Sequence, residues 1–249
     1  MDLTEHRESD TEQERSSSLF QLFPDNRHTA LDIGARDGHF TKLLAQRFDH
    51  VTALDLSKPQ IDHEKVSCVK GDVTNLTFKD NSFDFILCAE VLEHIPPTLL
   101  QKACEELCRV SNELILIGVP YKQDLRVDRT TCYSCGAKNP PWGHVNSFDE
   151  ERLMKLFHPC KAIEIELIGS SNDFTNFIST ALTDFAGNPY GTYFQEEACI
   201  NCGKKLIPPP SRTLIQRIAT KSASQLRRIQ RSLSQPQANW IHILFKKDQ

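Results

Sequence analysis

The chain has 249 residues, of which 39% are hydrophobic and 25% are charged, and its formal net charge is −4. This composition excludes a disordered, collagen-like or membrane-embedded chain, and the length suits one α/β domain with an elaboration. The longest apolar runs are too short or too interrupted to span a bilayer. The N-terminal residues lack a basic region followed by an apolar core, so we expect no signal peptide and a cytoplasmic location.

The first 120 residues alternate five times between predicted strands and connectors. A solvated segment to about residue 15 precedes the last turns of a helix that Pro24 ends. Strands are predicted from Leu31 and over residues 51–56, 66–69, 83–88 and 114–119. Pro96 and Pro97 open a helix with an apolar face, formed by Leu100, Ala103, Cys104, Leu107 and Val110. This alternation predicts a mostly parallel sheet with helices on its faces.

The regular alternation breaks after Pro120. An irregular loop over residues 121–148 leads to a helix over 149–157 and a sixth strand over 162–168, and a second irregular segment over 170–238 precedes a last strand over 240–245. We therefore predict an α/β fold with a Rossmann-like, seven-stranded, mostly parallel sheet, an antiparallel last strand and a zinc-tethered lid insertion. The predicted division is a core over residues 1–120, a loop over 121–148, a core helix and strand over 149–169, an insertion over 170–238 and a core strand over 239–249.

Polar residues follow several of the predicted strands. They are Asp32 to Gly38, Asp55, Asp72 and Glu90. In parallel sheets, ligands bind beyond the carboxyl ends of the strands. These four segments therefore converge on one edge and predict a ligand site there.

The turn after the first strand narrows the type of ligand. A nicotinamide-binding turn follows the pattern G-x-G-x-x-G. Here Gly34 is followed by Ala35, Arg36, Asp37 and Gly38, so the middle glycine is absent and the pattern is D-x-G-x-x-x-G. Arg36 stands where a glycine is common.

This pattern resembles the first motif of the class I S-adenosylmethionine-dependent methyltransferases, and the resemblance covers roughly residues 29–120. Residues 82–95, Ser-Phe-Asp-Phe-Ile-Leu-Cys-Ala-Glu-Val-Leu-Glu-His-Ile, resemble the fourth-strand signature of the ubiquinone-biosynthesis-like branch. The resemblance implies that Asp55 accepts bonds from the ribose hydroxyls and that Asp72 lies near the adenine. It implies S-adenosylmethionine as cofactor, held by Asp32, Gly34, Arg36, Gly38, Asp55, Leu56, Asp72, Val73 and Glu90.

Methyl transfer asks mainly for near-attack geometry between the sulfonium and the acceptor. A base is needed only when the acceptor must lose a proton, and the candidates are His144, His94 and Glu90. His94 could instead cap a helix, and His144 could be a structural imidazole or a zinc ligand.

Two closely spaced pairs among the nine cysteines indicate a metal site. Cys132-x-x-Cys135 and Cys199-x-x-Cys202, each followed by a glycine, predict two knuckles of one Cys₄ zinc site. Redox-active or free thiols are the alternative. The strand order brings both segments to the substrate side, where a zinc site would join them as a lid. The other five cysteines are expected to pack as small apolar residues.

The segment over residues 211–235 is basic and helical in pattern. One face carries Ile215, Ile218, Ser222, Leu226, Ile229 and Leu233. It is interpreted as a helix packed on the lid, or as a surface for a phosphorylated or lipid-linked acceptor or a membrane. Nucleic acid is disfavoured because the rest of the chain is acidic and no aromatic platform accompanies the arginines.

The overall interpretation is O-methylation of a saccharide or other small metabolite. Two alternatives stay open, which are an RNA methyltransferase with a zinc lid and a non-catalytic, zinc-containing binding module.

Overall fold

The computed structural model describes residues 9–248. Its strands are β1 (Thr29–Ile33), β2 (His50–Asp55), β3 (Val66–Lys70), β4 (Phe83–Ala89), β5 (Ser111–Pro120), β6 (Thr130–Thr131), β7 (Lys138–Asn139), β8 (Lys161–Ile168) and β9 (Trp240–Lys246). Its α-helices are α1 (Asp10–Gln21), α2 (His39–Leu44), α3 (Pro97–Val110), α4 (Glu150–Leu156), α5 (Phe177–Phe185) and α6 (Leu214–Leu233).

The described residues divide into two compact units. The sheet unit comprises the described residues up to Tyr121, Phe148–Gly169 and the described residues from Ala238 onward. The insertion unit comprises Lys122–Ser147 and Ser170–Gln237. Since each unit is built from separate stretches, the chain passes between them four times.

The sheet has seven strands in the order β3-β2-β1-β4-β5-β9-β8. Strands β1 to β5 are parallel to their neighbours, whereas β9 runs antiparallel to both β5 and β8. The predicted seven-stranded, mostly parallel sheet with an antiparallel last strand is therefore confirmed. Because β8 runs in the same direction as β5, the chain leaves and re-enters the sheet unit at the carboxyl edge of the parallel strands.

The two faces of the sheet bury separate cores because neighbouring residues of a strand point to opposite faces. In β1, Leu31 and Ile33 belong to one core and Ala30 belongs to the other. Helices α3 and α4 cover the first core, and α1 and α2 cover the second. All five predicted apolar residues of α3 are buried, as the helical period requires.

The segment before β1 differs from the prediction. A solvated segment to about residue 15 was expected, and its first eight residues lie outside the described range. From Asp10 the chain is helical, and Ser9 caps α1 by accepting from the N–H of Glu12. Glu12 and Arg15 are buried as an ion pair, which lets charged residues lie inside this helix–sheet contact.

The insertion unit contains a short antiparallel ribbon of β6 and β7 and the two helices α5 and α6. Helix α6 begins with a capping box in which Thr213 and Gln216 exchange side-chain and backbone hydrogen bonds. Its packing differs from one interpretation of the sequence. The predicted apolar face is exposed, and the buried residues are Ala219, Thr220 and Ala223. Over residues 9–248, no helix has both the length and the apolar character needed to cross a bilayer.

Candidate functional site

The turn after β1 is formed by two glycines in the left-handed region. Gly34 has φ +75° and Gly38 has φ +82°. A Cβ on Gly34 would lie 2.4 Å from Val91 Cγ2, and a Cβ on Gly38 would lie 2.6 Å from Ile61 Cδ1. The N–H of Gly34 donates to Leu54 O at 2.8 Å, which ties the turn to the end of β2. Both glycines are thus required by backbone conformation and by close packing.

Asp32 is buried directly before this turn, with 3% of its surface exposed. Its carboxylate accepts a hydrogen bond of 2.5 Å from Thr41 Oγ1 of α2. Burial raises the pKa of Asp32 to about 7, a shift that the Thr41 hydroxyl reduces and the nearby Asp55 increases. Asp32 therefore joins β1 to α2 beneath the turn, and its carboxyl group titrates near neutral pH.

Arg36 stands where a glycine is common, and its backbone N–H contacts Asp55. Its φ is +46°, in the left-handed region, and its N–H donates to Asp55 Oδ2 at 3.0 Å. Ser57 N donates to the other oxygen, Oδ1, at 3.4 Å. Two backbone N–H groups therefore orient the Asp55 carboxylate at the end of β2, beside the glycine turn. Leu56 follows it and is 68% exposed.

Asp72 follows β3, the neighbour of β2. Its Oδ1 accepts from both the N–H and the hydroxyl of Thr74, each at 2.8 Å, while Oδ2 accepts no hydrogen bond from the described residues. Val73 is buried. Three neighbouring strands thus place Asp32, Asp55 and Asp72 at one edge of the sheet.

Glu90 follows β4 with a strained φ of +58°. Its N–H donates to Gly118 O at 2.9 Å, and Arg15 Nη1 lies 3.8 Å from its Oε1. Burial raises the pKa of Glu90, and Arg15 opposes that rise. His94 ends the short helical turn Leu92–His94 and is exposed.

A buried group around Arg15 was not predicted from the sequence. Arg15 Nε donates to Glu12 Oε2 at 2.9 Å, and its guanidinium lies over the rings of Phe40 and Trp240 at 5.5 and 5.8 Å. Glu93 is fully buried, and neither of its carboxylate oxygens has a hydrogen-bond partner among the described residues. Burial raises the pKa of Glu93 well above its usual range, and the neighbouring Glu90 raises it further. The sequence feature that could have indicated this ion pair is the i, i+3 spacing of Glu12 and Arg15 before an apolar run.

His144 belongs to the insertion unit. Its ring is buried, and Nδ1 lies 2.7 Å from Gln123 Oε1. Because an amide oxygen only accepts, Nδ1 carries the proton and Nε2 is the basic nitrogen.

The insertion unit gathers all four predicted cysteine ligands. Their sulfur atoms lie within 4.8 Å of one another, with Cys132 Sγ 3.7 Å from Cys202 Sγ and Cys135 Sγ 3.6 Å from Cys199 Sγ. In each knuckle the first cysteine's carbonyl accepts from the glycine that follows the second, Gly136 or Gly203.

These separations fit a tetrahedral metal site. Metal–sulfur bonds of about 2.3 Å separate the sulfur atoms of a tetrahedral zinc site by about 3.8 Å. Two cysteines are buried and two are exposed, and a backbone N–H from Ala137 lowers the pKa of Cys135 to about 6. The donor set suits zinc better than oxygen-preferring cations.

Residues 31–113 match the family described as "Methyltransferase domain". The chain is 29% identical over 99 residues to a ubiquinone biosynthesis O-methyltransferase of Pseudomonas paraeruginosa, covering 35% of this chain and 43% of that protein. It is 32% identical over 97 residues to the corresponding protein of Xanthomonas oryzae pv. oryzae, covering 34% and 41%. The matches therefore span less than half of these curated relatives.

The fold is similar to a solved structure with a bound nucleoside. N-methyltransferase NodS from Bradyrhizobium japonicum, in complex with S-adenosyl-l-homocysteine, superposes with a TM-score of 0.53. That comparison covers 97% of this chain and 90% of the other at 14% identity, so it concerns the fold alone. The family match, the seven-stranded sheet and the acids beside the glycine turn lead to one conclusion. The core of this chain is similar to the class I S-adenosylmethionine-dependent methyltransferases.

Proposed function

We propose that the chain transfers a methyl group from S-adenosylmethionine to an oxygen of a saccharide or other small metabolite. The observation that carries this proposal is the edge of the sheet unit where the Gly34–Gly38 turn adjoins the oriented carboxylate of Asp55. The neighbouring Asp72 retains an acceptor oxygen without a protein partner among residues 9–248. The printed names of the two relatives, which are O-methyltransferases, support oxygen as the acceptor atom.

When bound, the cofactor supplies a methyl group on a sulfonium, which a nucleophilic oxygen can attack. The chain's own residues bind the cofactor and orient it. We assign to Asp55 the two ribose hydroxyls, which a carboxylate can accept together. We assign to Asp72 an amine of the adenine, and to the turn around Arg36 the amino-acid portion. Asp32 holds the turn in place through Thr41.

A hydroxyl acceptor must lose a proton during the reaction, so a base is part of the proposal. We assign this role to Nε2 of His144, since Gln123 fixes the proton on Nδ1. Glu90 and His94 remain the other candidates. The raised pKa of Glu90 brings a carboxylate closer to the range of an effective base.

We further propose that Cys132, Cys135, Cys199 and Cys202 hold one zinc ion. A closed set of four thiolates leaves no open coordination position, so its role is structural. The ion would join the two stretches of the insertion unit, and we propose that this unit acts as a lid on the acceptor side.

Cofactor binding tests the core of the proposal. Calorimetric titration with S-adenosylmethionine should show saturable binding, and Asp55→Asn should weaken it by about ten- to a hundredfold, because bonds to a charged acceptor contribute about 1.5–3 kcal/mol. The matched control is Asp49→Asn, since exposed Asp49 precedes the opposite end of β2 and pairs with His28. Absence of binding, or equal losses in both variants, would contradict the proposal.

The acceptor and the zinc need separate measurements. A screen with labelled cofactor against sugar nucleotides, oligosaccharides and RNA should yield a methyl ether on a small acceptor, and transfer to RNA alone would contradict the assignment. Metal analysis should find one zinc per chain, lost in Cys199→Ser and retained in Cys68→Ser, whose thiol lies outside the cluster.

A further inference from the structure

Helix α6 exposes a row of large apolar side chains. Ile215, Ile218, Ile229 and Leu233 are 67%, 57%, 56% and 82% exposed. Their spacing, with Leu226 between them, places them on one helical face about 27 Å long. A globular protein normally buries such a face, so its exposure calls for a partner.

The helix already has a neighbour, which uses a different face. Helices α5 and α6 are antiparallel, since Asn176 Nδ2 donates to Gln230 Oε1 at 2.7 Å at one end and Gln216 Nε2 donates to Phe185 O at 3.4 Å at the other. The residues of α6 that are buried are the small Ala219, Thr220 and Ala223. The packing within the insertion unit therefore leaves the large apolar row exposed.

Helix α5 adds exposed apolar side chains of its own. Phe177, Ile178 and Phe185 are 81%, 60% and 59% exposed, and their spacing places them on one face of the helix. Asn176 caps this helix through its side chain, which accepts from Ser179 N. Both helices of the hairpin thus have a side-chain cap at the N-terminus and an exposed apolar face.

A row of cations borders the apolar row of α6. Arg217, Lys221 and Arg228 are exposed and lie on one line along the helix over about 16 Å. None of the three forms an ion pair with a residue in the range 9–248, whereas Arg227 and Arg231 pair with Asp173. The sequence contains no Asp or Glu between Ala198 and Lys247, so no acid on this helix neutralises the row.

We propose that the α5–α6 hairpin docks on a membrane surface containing anionic lipid. An apolar face beside a basic row is the arrangement of helices that lie in the bilayer interface, with apolar side chains among the acyl chains and cations at the headgroups. The unpaired cations complement anionic headgroups. A second copy of the chain is a poorer occupant, because a two-fold contact through this face would bring two basic rows together.

The test uses the full chain and sedimentation with vesicles. Wild-type protein should sediment with vesicles of phosphatidylcholine and phosphatidylglycerol, much less with phosphatidylcholine alone, and less as salt is raised. The triple variant Arg217→Gln, Lys221→Gln and Arg228→Gln should bind anionic vesicles roughly a hundredfold more weakly, since each surface cation contributes about fivefold. The paired variant Ile218→Asp and Ile229→Asp should lose at least about tenfold.

Matched controls lie in the sheet unit. Exposed Lys102 changed to Gln and exposed Ile163 changed to Asp should bind vesicles like the wild type. Far-UV circular dichroism and S-adenosylmethionine affinity should be unchanged in every variant, which separates lost docking from lost folding. Equal vesicle binding by wild type and hairpin variants would overturn the proposal, as would no sedimentation with anionic vesicles or a stable dimer that the Ile218→Asp and Ile229→Asp changes abolish.

Discussion

Changing Asp32 to asparagine should remove a loss of stability that the wild-type sheet unit undergoes as the pH rises towards about 7. Burial raises the pKa of Asp32 from 3.8 to about 7 in the folded chain. Between these values the folded state holds a proton that the unfolded state has released, so the free energy of unfolding decreases as the pH rises. The stability contributed by the protonated form is complete below the unfolded pKa and is lost through the folded pKa.

The magnitude follows from the shift. From about pH 5 to about pH 8, roughly two pH units lie below the folded pKa, and each corresponds to about 1.4 kcal/mol. Wild type should therefore lose about 3 kcal/mol more than Asp32→Asn, in which Asn Oδ1 can still accept from Thr41. Thr41→Val should enlarge the loss, since the hydroxyl that lowers the pKa of Asp32 is removed.

The assay needs a probe of the sheet unit alone. The chain has two tryptophans, and Trp240 lies in β9 whereas Trp142 lies in the insertion unit. In a Trp142→Phe background, urea unfolding followed by Trp240 fluorescence reports the sheet unit at each pH. Subtracting the free energy of unfolding of Asp32→Asn from that of wild type at each pH removes the contributions of the other titrating groups. A difference that stays constant from about pH 5 to about pH 8 would refute the reasoning.

Four further substitutions test the packing by urea unfolding. Gly34→Ala should cost about 2–5 kcal/mol of stability, because a left-handed φ and a clash with Val91 act together. Gly136 is also left-handed, but a Cβ there would meet no atom within 4 Å, so Gly136→Ala should cost only about 1–2 kcal/mol. Equal costs would disprove the clash. Arg15→Met should destabilise the sheet unit by about 3–5 kcal/mol by leaving the buried Glu12 carboxylate unpaired, and a neutral effect would contradict a stabilising role for this ion pair. Thr213→Ala should cost about 1 kcal/mol in the insertion unit by removing the cap of α6, and an unchanged stability would contradict a stabilising role for this cap.

The order of the sheet was predictable because strong periodic patterns dominate the core. The apolar residues of α3 recur at helical spacing, and all of those predicted to be buried are buried. The acids at the carboxyl ends of β1, β2 and β3 also converge as parallel topology requires. In these stretches the local pattern and the tertiary contacts favour the same structure.

Other features depended on contacts that sequence patterns do not encode. The burial of Arg15 depends on Glu12, Glu90 and two aromatic rings brought together from distant parts of the chain. Arg36 adopts a left-handed φ at a position where a glycine is common, and Asp55 accepts its backbone N–H. In α6, hydrophobicity alone favoured burying the large residues, whereas the alanines give the close approach that the hairpin uses.

The position of β9 between β5 and β8 in the sheet has a consequence for synthesis of the chain. β9 pairs with β5 on one side and β8 on the other, although about 120 residues separate Pro120 from Trp240 along the chain. While the ribosome adds residues vectorially, β5 must wait with an unpaired edge until β9 emerges. Such an edge can pair with other chains. Efficient production of this protein should therefore depend on nascent-chain chaperones that shield the β5 edge until the sheet is complete.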